Sequence, residues 1–200
     1  QDMKQFSRPI AGYIGGIHKW IDQELIAKTA KLLPQVNFVF IGPVQTSVAV
    51  LQRLTNVFLL GARKHEEIPN YVRTFDVGLI PYLTTRYTAH VYPTKLNEYL
   101  AMGKPVVSTP LEEIDYFNQT NGDLVRIGSS PESFASQILE STTDNSALRI
   151  KERLDVVEQN SWQKRIERMA EVIRVQIGSS DRPLEVGWEE RLRAVYHGAY

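Results

Sequence analysis

The strongest constraint on this chain is a series of short apolar runs too continuous to be half-buried strands. The first is Pro9-Ile10-Ala11-Gly12-Tyr13-Ile14-Gly15. Others occupy 36–41, 57–60, 76–80, 105–109 and 123–127. A strand with no polar face needs cover on both sides, as in a parallel sheet between helix layers. Stretches with apolar residues at helical spacing separate the runs. Ile21, Leu25, Ala30, Leu32 and Leu33 form one, with Asp22 as N-cap and Pro34 beyond its end. Short helices are predicted around 46–53 and 66–74, and another over 93–102, closed by Gly103. Ser130-Pro131 opens a helix whose apolar face carries Phe134, Ile138 and Leu139. Two helices follow Asn145, the last with Ile166, Met169, Ile173 and Ile177 in one stripe.

This alternation predicts an α/β fold: a Rossmann-like, doubly wound, mostly parallel sheet of about six strands with helices on both faces. The 200 residues suffice for one such domain with a real core and are short for two. The expected division is a Rossmann-like domain over 1–177 and a tail over 178–200. That tail is helical, or contacts a missing N-terminal domain. The opening Gln1-Asp2-Met3 fits a piece of a longer protein. Lys+Arg and Asp+Glu both number 23, so the net charge is zero and no nucleic-acid partner is expected. The absence of cysteine excludes disulfides, thiolate metal sites and a cysteine nucleophile. No apolar run approaches the roughly 20 residues that span a bilayer. No secretory leader pattern is present, and the expected location is cytoplasmic. His18, His65, His90 and His197 share no ligand spacing, so no metal is expected. The mixed charges over 149–174 read as a solvated helix face.

Ligands of open α/β sheets bind at the C-terminal strand edges, so the loops there carry the chemistry. Gly12-Tyr13-Ile14-Gly15-Gly16-Ile17-His18-Lys19 follows the first strand. It is neither G-x-G-x-x-G nor a Walker A loop. It reads equally as a backbone cradle for phosphate and as a tight turn. Pro93-Thr94-Lys95-Leu96-Asn97-Glu98 opens a helix. With Pro93 in the first helical position, the amides of Thr94, Lys95 and Leu96 are expected to point forward as an anion site. Lys95 there opposes the helix dipole by about 0.3–1 kcal/mol, a conflict that a bound anion would relieve. The alternative is a surface pair with Glu98 at i+3, worth about 0.2–0.5 kcal/mol. Tyr82, Arg86, Tyr87 and Tyr92 lie in a long polar loop, facing a ligand or packing beneath a lid.

The chain resembles the C-terminal, donor-binding domain of a GT-B glycosyltransferase of the group 1, or family 4, type. Gly12-Tyr13-Ile14-Gly15-Gly16, Phe38-Val39-Phe40-Ile41-Gly42-Pro43 and Phe75-Asp76-Val77-Gly78-Leu79-Ile80-Pro81 carry the likeness. The most specific segment is Pro93-Thr94-Lys95-Leu96-Asn97-Glu98-Tyr99-Leu100-Ala101-Met102-Gly103-Lys104-Pro105-Val106-Val107. The resemblance implies retaining transfer from a nucleotide diphosphate sugar, without metal or other cofactor, in a cell-envelope polysaccharide setting. It also implies a separate N-terminal acceptor domain and leaves room for peripheral membrane association of the full-length enzyme. The isolated domain is then expected to be inactive.

By position, Glu98 matches the second Glu of the family's E-x7-E motif and is expected on the ribose hydroxyls. Thr94 and Lys95 fall at the diphosphate, Lys95 also as a catalytic cation. Gly15, Gly16 and Lys19 fall in the phosphate loop, and Arg63 and Lys64 beside the base. Two departures stand out. His90 replaces the first Glu of the motif, in a catalytic position, and Gly16 replaces a phosphate-binding Arg. They leave open a catalytically degenerate module that binds nucleotide or serves assembly.

Overall fold

The structure is a computed structural model of the chain and describes residues 2–178 and Gly187. Among these, six strands form one sheet: β1 (Ile10–Ile14), β2 (Asn37–Ile41), β3 (Val57–Leu59), β4 (Val77–Ile80), β5 (Val106–Ser108) and β6 (Val125–Ile127). Every pairing is parallel, in the order β3-β2-β1-β4-β5-β6. The doubly wound, Rossmann-like sheet expected from the sequence is therefore present, and its direction of winding reverses between β1 and β4. Ligands bind at such a switch point. All of β1 and β4 is buried, which is why neither strand alternates in polarity.

Helices α1 (Gln23–Leu32), α2 (Ala49–Gln52), α3 (Ile68–Val72), α4 (Lys95–Ala101), α5 (Glu112–Asn121), α6 (Pro131–Thr143) and α7 (Ala147–Gln159) connect and flank the strands. Asp22 caps α1, its carboxylate accepting from the Leu25 amide at 2.9 Å. Ser130 caps α6, accepting from Ser133, with Pro131 in the first turn. Leu139, expected on the buried face of α6, is 40% exposed. Phe134 and Ile138, one turn apart, take that face, and a residue after Ile138 rotates by about 100° toward solvent. The helix predicted over 66–74 is shorter: a 3-10 turn, His65–Glu67, precedes α3.

The β1–β4 contact has a particular construction. The two strands pair only at Ala11 with Val77 and Gly12 with Gly78. A Cβ on Gly12 would lie 2.2 Å from the Phe75 ring, and one on Gly78 would lie 2.6 Å from the Tyr99 ring. Two aromatic rings thus lie directly on the bare backbone of the sheet. Beyond that point β1 runs on without β4, and the Ile14 amide is bonded by the Tyr99 hydroxyl at 3.0 Å. The side chain of α4 replaces a missing strand partner in the fully buried interior.

The mixed charges after position 149 are not all on a solvated face. Arg153 is completely buried. Its guanidinium donates to the Gly103 carbonyl at 3.1 Å and to both the carbonyl and carboxylate of Asp144, at 2.7 and 2.8 Å. It ties α7 to the ends of α4 and α6, a bond pattern that helical periodicity does not reveal. Contacts divide the chain into two units, Gln1–Val157 and Glu158–Tyr200. In the second, α8 (Trp162–Gly178) carries a Lys164–Glu167 pair at 3.2 Å. Except for Gly178 and Gly187, the tail expected over 178–200 lies outside the described residues.

Two substitutions test these anchors by urea denaturation. Tyr99→Phe strands the buried Ile14 amide and should lower stability by about 1–3 kcal/mol. Arg153→Ala leaves the Gly103 carbonyl without its donor, while Asp144 keeps Arg149, and should lower it by about 1–3 kcal/mol.

Candidate functional site

A cleft of about 250 Å³ opens at the C-terminal edge of β1, β2 and β3. It is lined by Ile14, Gly15, Ile41, Gly42, Pro43, Arg63, His65, Ile68, Thr94, Lys95 and Glu98. The loops after β1 and β2 run side by side to form one wall. Gly15 donates to Ile41 at 2.9 Å, Ile17 to Pro43 at 2.9 Å, and Gln45 back to Ile17 at 2.8 Å. Gly42 has φ of +151°, and a Cβ there would lie 2.0 Å from the Gly15 carbonyl oxygen. Only glycine lets the two backbones approach so closely. The Gly42 amide in turn bonds the Gly61 carbonyl at 2.9 Å, which fixes the loop carrying Arg63.

The fold brings together five of the residues singled out from the sequence: Gly15, Arg63, Thr94, Lys95 and Glu98. Four others do not line the cleft. Gly16 packs on Gln45, and Lys19 is exposed with its ammonium 5.4 Å from the Trp20 ring. Lys64 is exposed at the start of the 3-10 turn. The His90 side chain is 76% exposed, with Nδ1 3.9 Å from a Glu112 carboxylate oxygen. The loop after β2 also supplies Gly42 and Pro43, and the segment after β3 supplies His65. Gly42 and Pro43 were visible as the stop after the second apolar run, and His65 as the neighbour of Arg63 and Lys64.

The start of α4 differs from expectation. The helix begins at Lys95 with Thr94 as cap, and the Leu96 amide turns back to the Pro93 carbonyl at 2.9 Å. That tight turn occupies one of the amides expected to face an anion. Lys95 is not a surface residue paired with Glu98. It is only 9% exposed and donates to the Tyr82 hydroxyl. The second cation, Arg63, donates to the Tyr71 hydroxyl at 2.7 Å and to Asp2 at 2.8 Å. These two bonds raise its pKa still further.

His18 lies beside this group, edge-on to Trp20 at 4.6 Å. Burial first, and then the Lys95 charge, lower its pKa below the ordinary 6.5. The imidazole is therefore neutral at pH 7. Below that ordinary value the unfolded chain takes up the proton before the folded one, so stability falls as the medium is acidified. The expected outcome is a lower urea midpoint at about pH 5.5 than at about pH 7.5, with a smaller difference in His18→Gln.

Comparisons with known proteins identify the family and the fold. The model of the glycosyl transferases group 1 family matches residues 8–144. TuaH of Bacillus subtilis (strain 168), named for a teichuronic acid biosynthesis glycosyltransferase, is 40% identical over 106 residues. That alignment covers 51% of this chain and 27% of TuaH, so the chain spans about a quarter of its curated relative. A glycosyltransferase structure from Rickettsia africae ESF-5 superposes with a TM-score of 0.64 at 11% identity, covering 90% of this chain and 51% of the other. The structure of TarM gives 0.54 at 16% identity, covering 78% and 32%. These structural likenesses concern the fold, a Rossmann-like unit of the GT-B type. The family match starts just before β1, takes in the whole sheet and stops at Asp144 after α6, and on that span the chain belongs to the group 1 glycosyl transferases.

Proposed function

We propose that this chain is the donor-binding half of a retaining glycosyltransferase, and that its cleft holds the nucleotide of a nucleotide diphosphate sugar. One observation carries the proposal. Arg63, Lys95 and Glu98, from two separate strand-end segments, line a single cleft beside the backbone of Gly15 and Gly42. Two cations suit a diphosphate, and a carboxylate suits a pair of ribose hydroxyls. The diphosphate, as leaving group, gains negative charge when the sugar departs. Lys95 would stabilise this charge electrostatically, with Thr94 at the same end of the cleft and Arg63 on its wall. The chain's own residues bind and orient the donor in this scheme, and the acceptor comes from a domain beyond it. By analogy with TuaH, the acceptor belongs to a cell-envelope polysaccharide.

Calorimetry with uridine, guanosine, adenosine, cytidine and thymidine diphosphates tests the proposal. At least one should bind with a Kd of roughly 10⁻⁴ M, about −5.5 kcal/mol. Silence from the whole panel at millimolar concentration would refute it. Glu98→Ala should weaken the best ligand about tenfold, because ribose hydroxyls lose a charged acceptor.

The exposed position of His90 favours a second reading, a degenerate module that binds nucleotide without turnover. Donor hydrolysis by the full-length protein, with and without His90→Glu, separates the two. Turnover by the unsubstituted protein removes the degenerate reading.

A further inference from the structure

We infer that Tyr82 is the positioning residue for the Lys95 ammonium, holding that cation ready for a phosphate oxygen. The inference rests on the reading of the cleft as a diphosphate site. Lys95 is buried, yet among the described residues it forms no ion pair, with Glu98 or any other carboxylate. A buried ammonium needs compensation from its surroundings. Here it comes from neutral aromatic groups. The ammonium donates to the Tyr82 hydroxyl and lies 4.7 Å from the Tyr82 ring centroid and 5.0 Å from that of Tyr13. A hydroxyl oxygen and an aromatic ring both attract a cation without cancelling its charge. A carboxylate in the same place would neutralise it and compete with the ligand.

The two tyrosines have different duties. The Tyr13 hydroxyl donates to the Gly16 carbonyl at 3.0 Å, and burial pushes its pKa far up, so Tyr13 offers Lys95 only a neutral ring. Tyr82 supplies the directional bond. Its backbone is held from two sides. An antiparallel bridge joins Tyr82 to Ile21, flanked by Leu83 donating to Trp20 and Asp22 donating to Pro81, each at 2.8 Å. From the β5 side the Thr109 hydroxyl donates to the Tyr82 carbonyl at 2.6 Å. The backbone that carries the phenol is thus held from both sides, and the phenol bonds the end of a long flexible side chain. Tyr82 does not itself line the cleft, whereas Lys95 does. The Lys95 side chain passes over Gly15, where an added Cβ would lie 3.4 Å from Cε and 3.7 Å from Nζ. Two of the three ammonium donors remain for an anion.

The test is a double-mutant cycle read by calorimetry. The ligands are inorganic pyrophosphate, the tightest nucleoside diphosphate of the panel above, and its parent nucleoside. Tyr82→Phe keeps the ring and removes only the hydroxyl. It should weaken diphosphate binding about tenfold, equivalent to about 1.4 kcal/mol, and leave nucleoside binding unchanged. Placed on Lys95→Met, the same substitution should have no further effect. The inference is overturned if Tyr82→Phe leaves diphosphate affinity unchanged. It is also overturned if the loss is the same without Lys95, or if the nucleoside is weakened equally, since each marks a packing role. If Lys95→Met itself leaves diphosphate affinity unchanged, the reading of the cleft fails, a different result from failure of the Tyr82 assignment alone.

Discussion

The bond from the Ile14 amide to the Tyr99 hydroxyl is the contact on which the site depends. It forms where β1 loses β4 as a neighbour, at the point where the sheet reverses direction. An unpaired amide there would be buried in a fully apolar interior, at a cost of about 1–3 kcal/mol. Tyr99 reaches it only because Gly78 leaves room for the ring against the backbone. That close approach fixes α4 against the end of β1. Lys95 and Glu98, one turn earlier on the same helix and adjacent to Tyr99, are thereby set at the edge of the cleft.

Electrostatics at the cleft is local. The chain as a whole has no net charge, so at the proposed donor site attraction of an anion would fall to Arg63 and Lys95. They are held in unlike ways. Arg63 is satisfied by Asp2 and Tyr71 and keeps its charge through ordinary pairing. Lys95 is surrounded by rings and hydroxyls and keeps its charge uncancelled. A cation of the second kind gains most from a bound anion, because no internal carboxylate has to be displaced.

Helix and strand positions were legible in the sequence because local periodicity encodes them. Asp22 and Ser130-Pro131 marked helix starts, and the absence of alternation marked strands buried on both faces. The segment from Pro93 to Val107 carried the family likeness. The burial of Arg153 was not legible: in spacing it looks like any charge on a mixed helix, and its partners lie at Gly103 and Asp144. The start of α4 was legible only to within a turn, since Pro93 permits either a full helical opening or the tighter turn observed.

The sequence by itself determined a parallel sheet, the positions of its strand-end loops, and the likeness to a glycosyltransferase family. Those properties are written in runs of neighbouring residues. Tertiary structure decided which of the named side chains share a cleft. It put Arg63 beside Gly42 and left His90 in solvent. It also turned Lys95 from a surface residue into a buried cation between Tyr13 and Tyr82. Residues 13, 82 and 95 belong to three different segments, and no periodicity links them. Their meeting depends on the sheet's crossing order and on two glycines that let aromatic rings lie against the backbone.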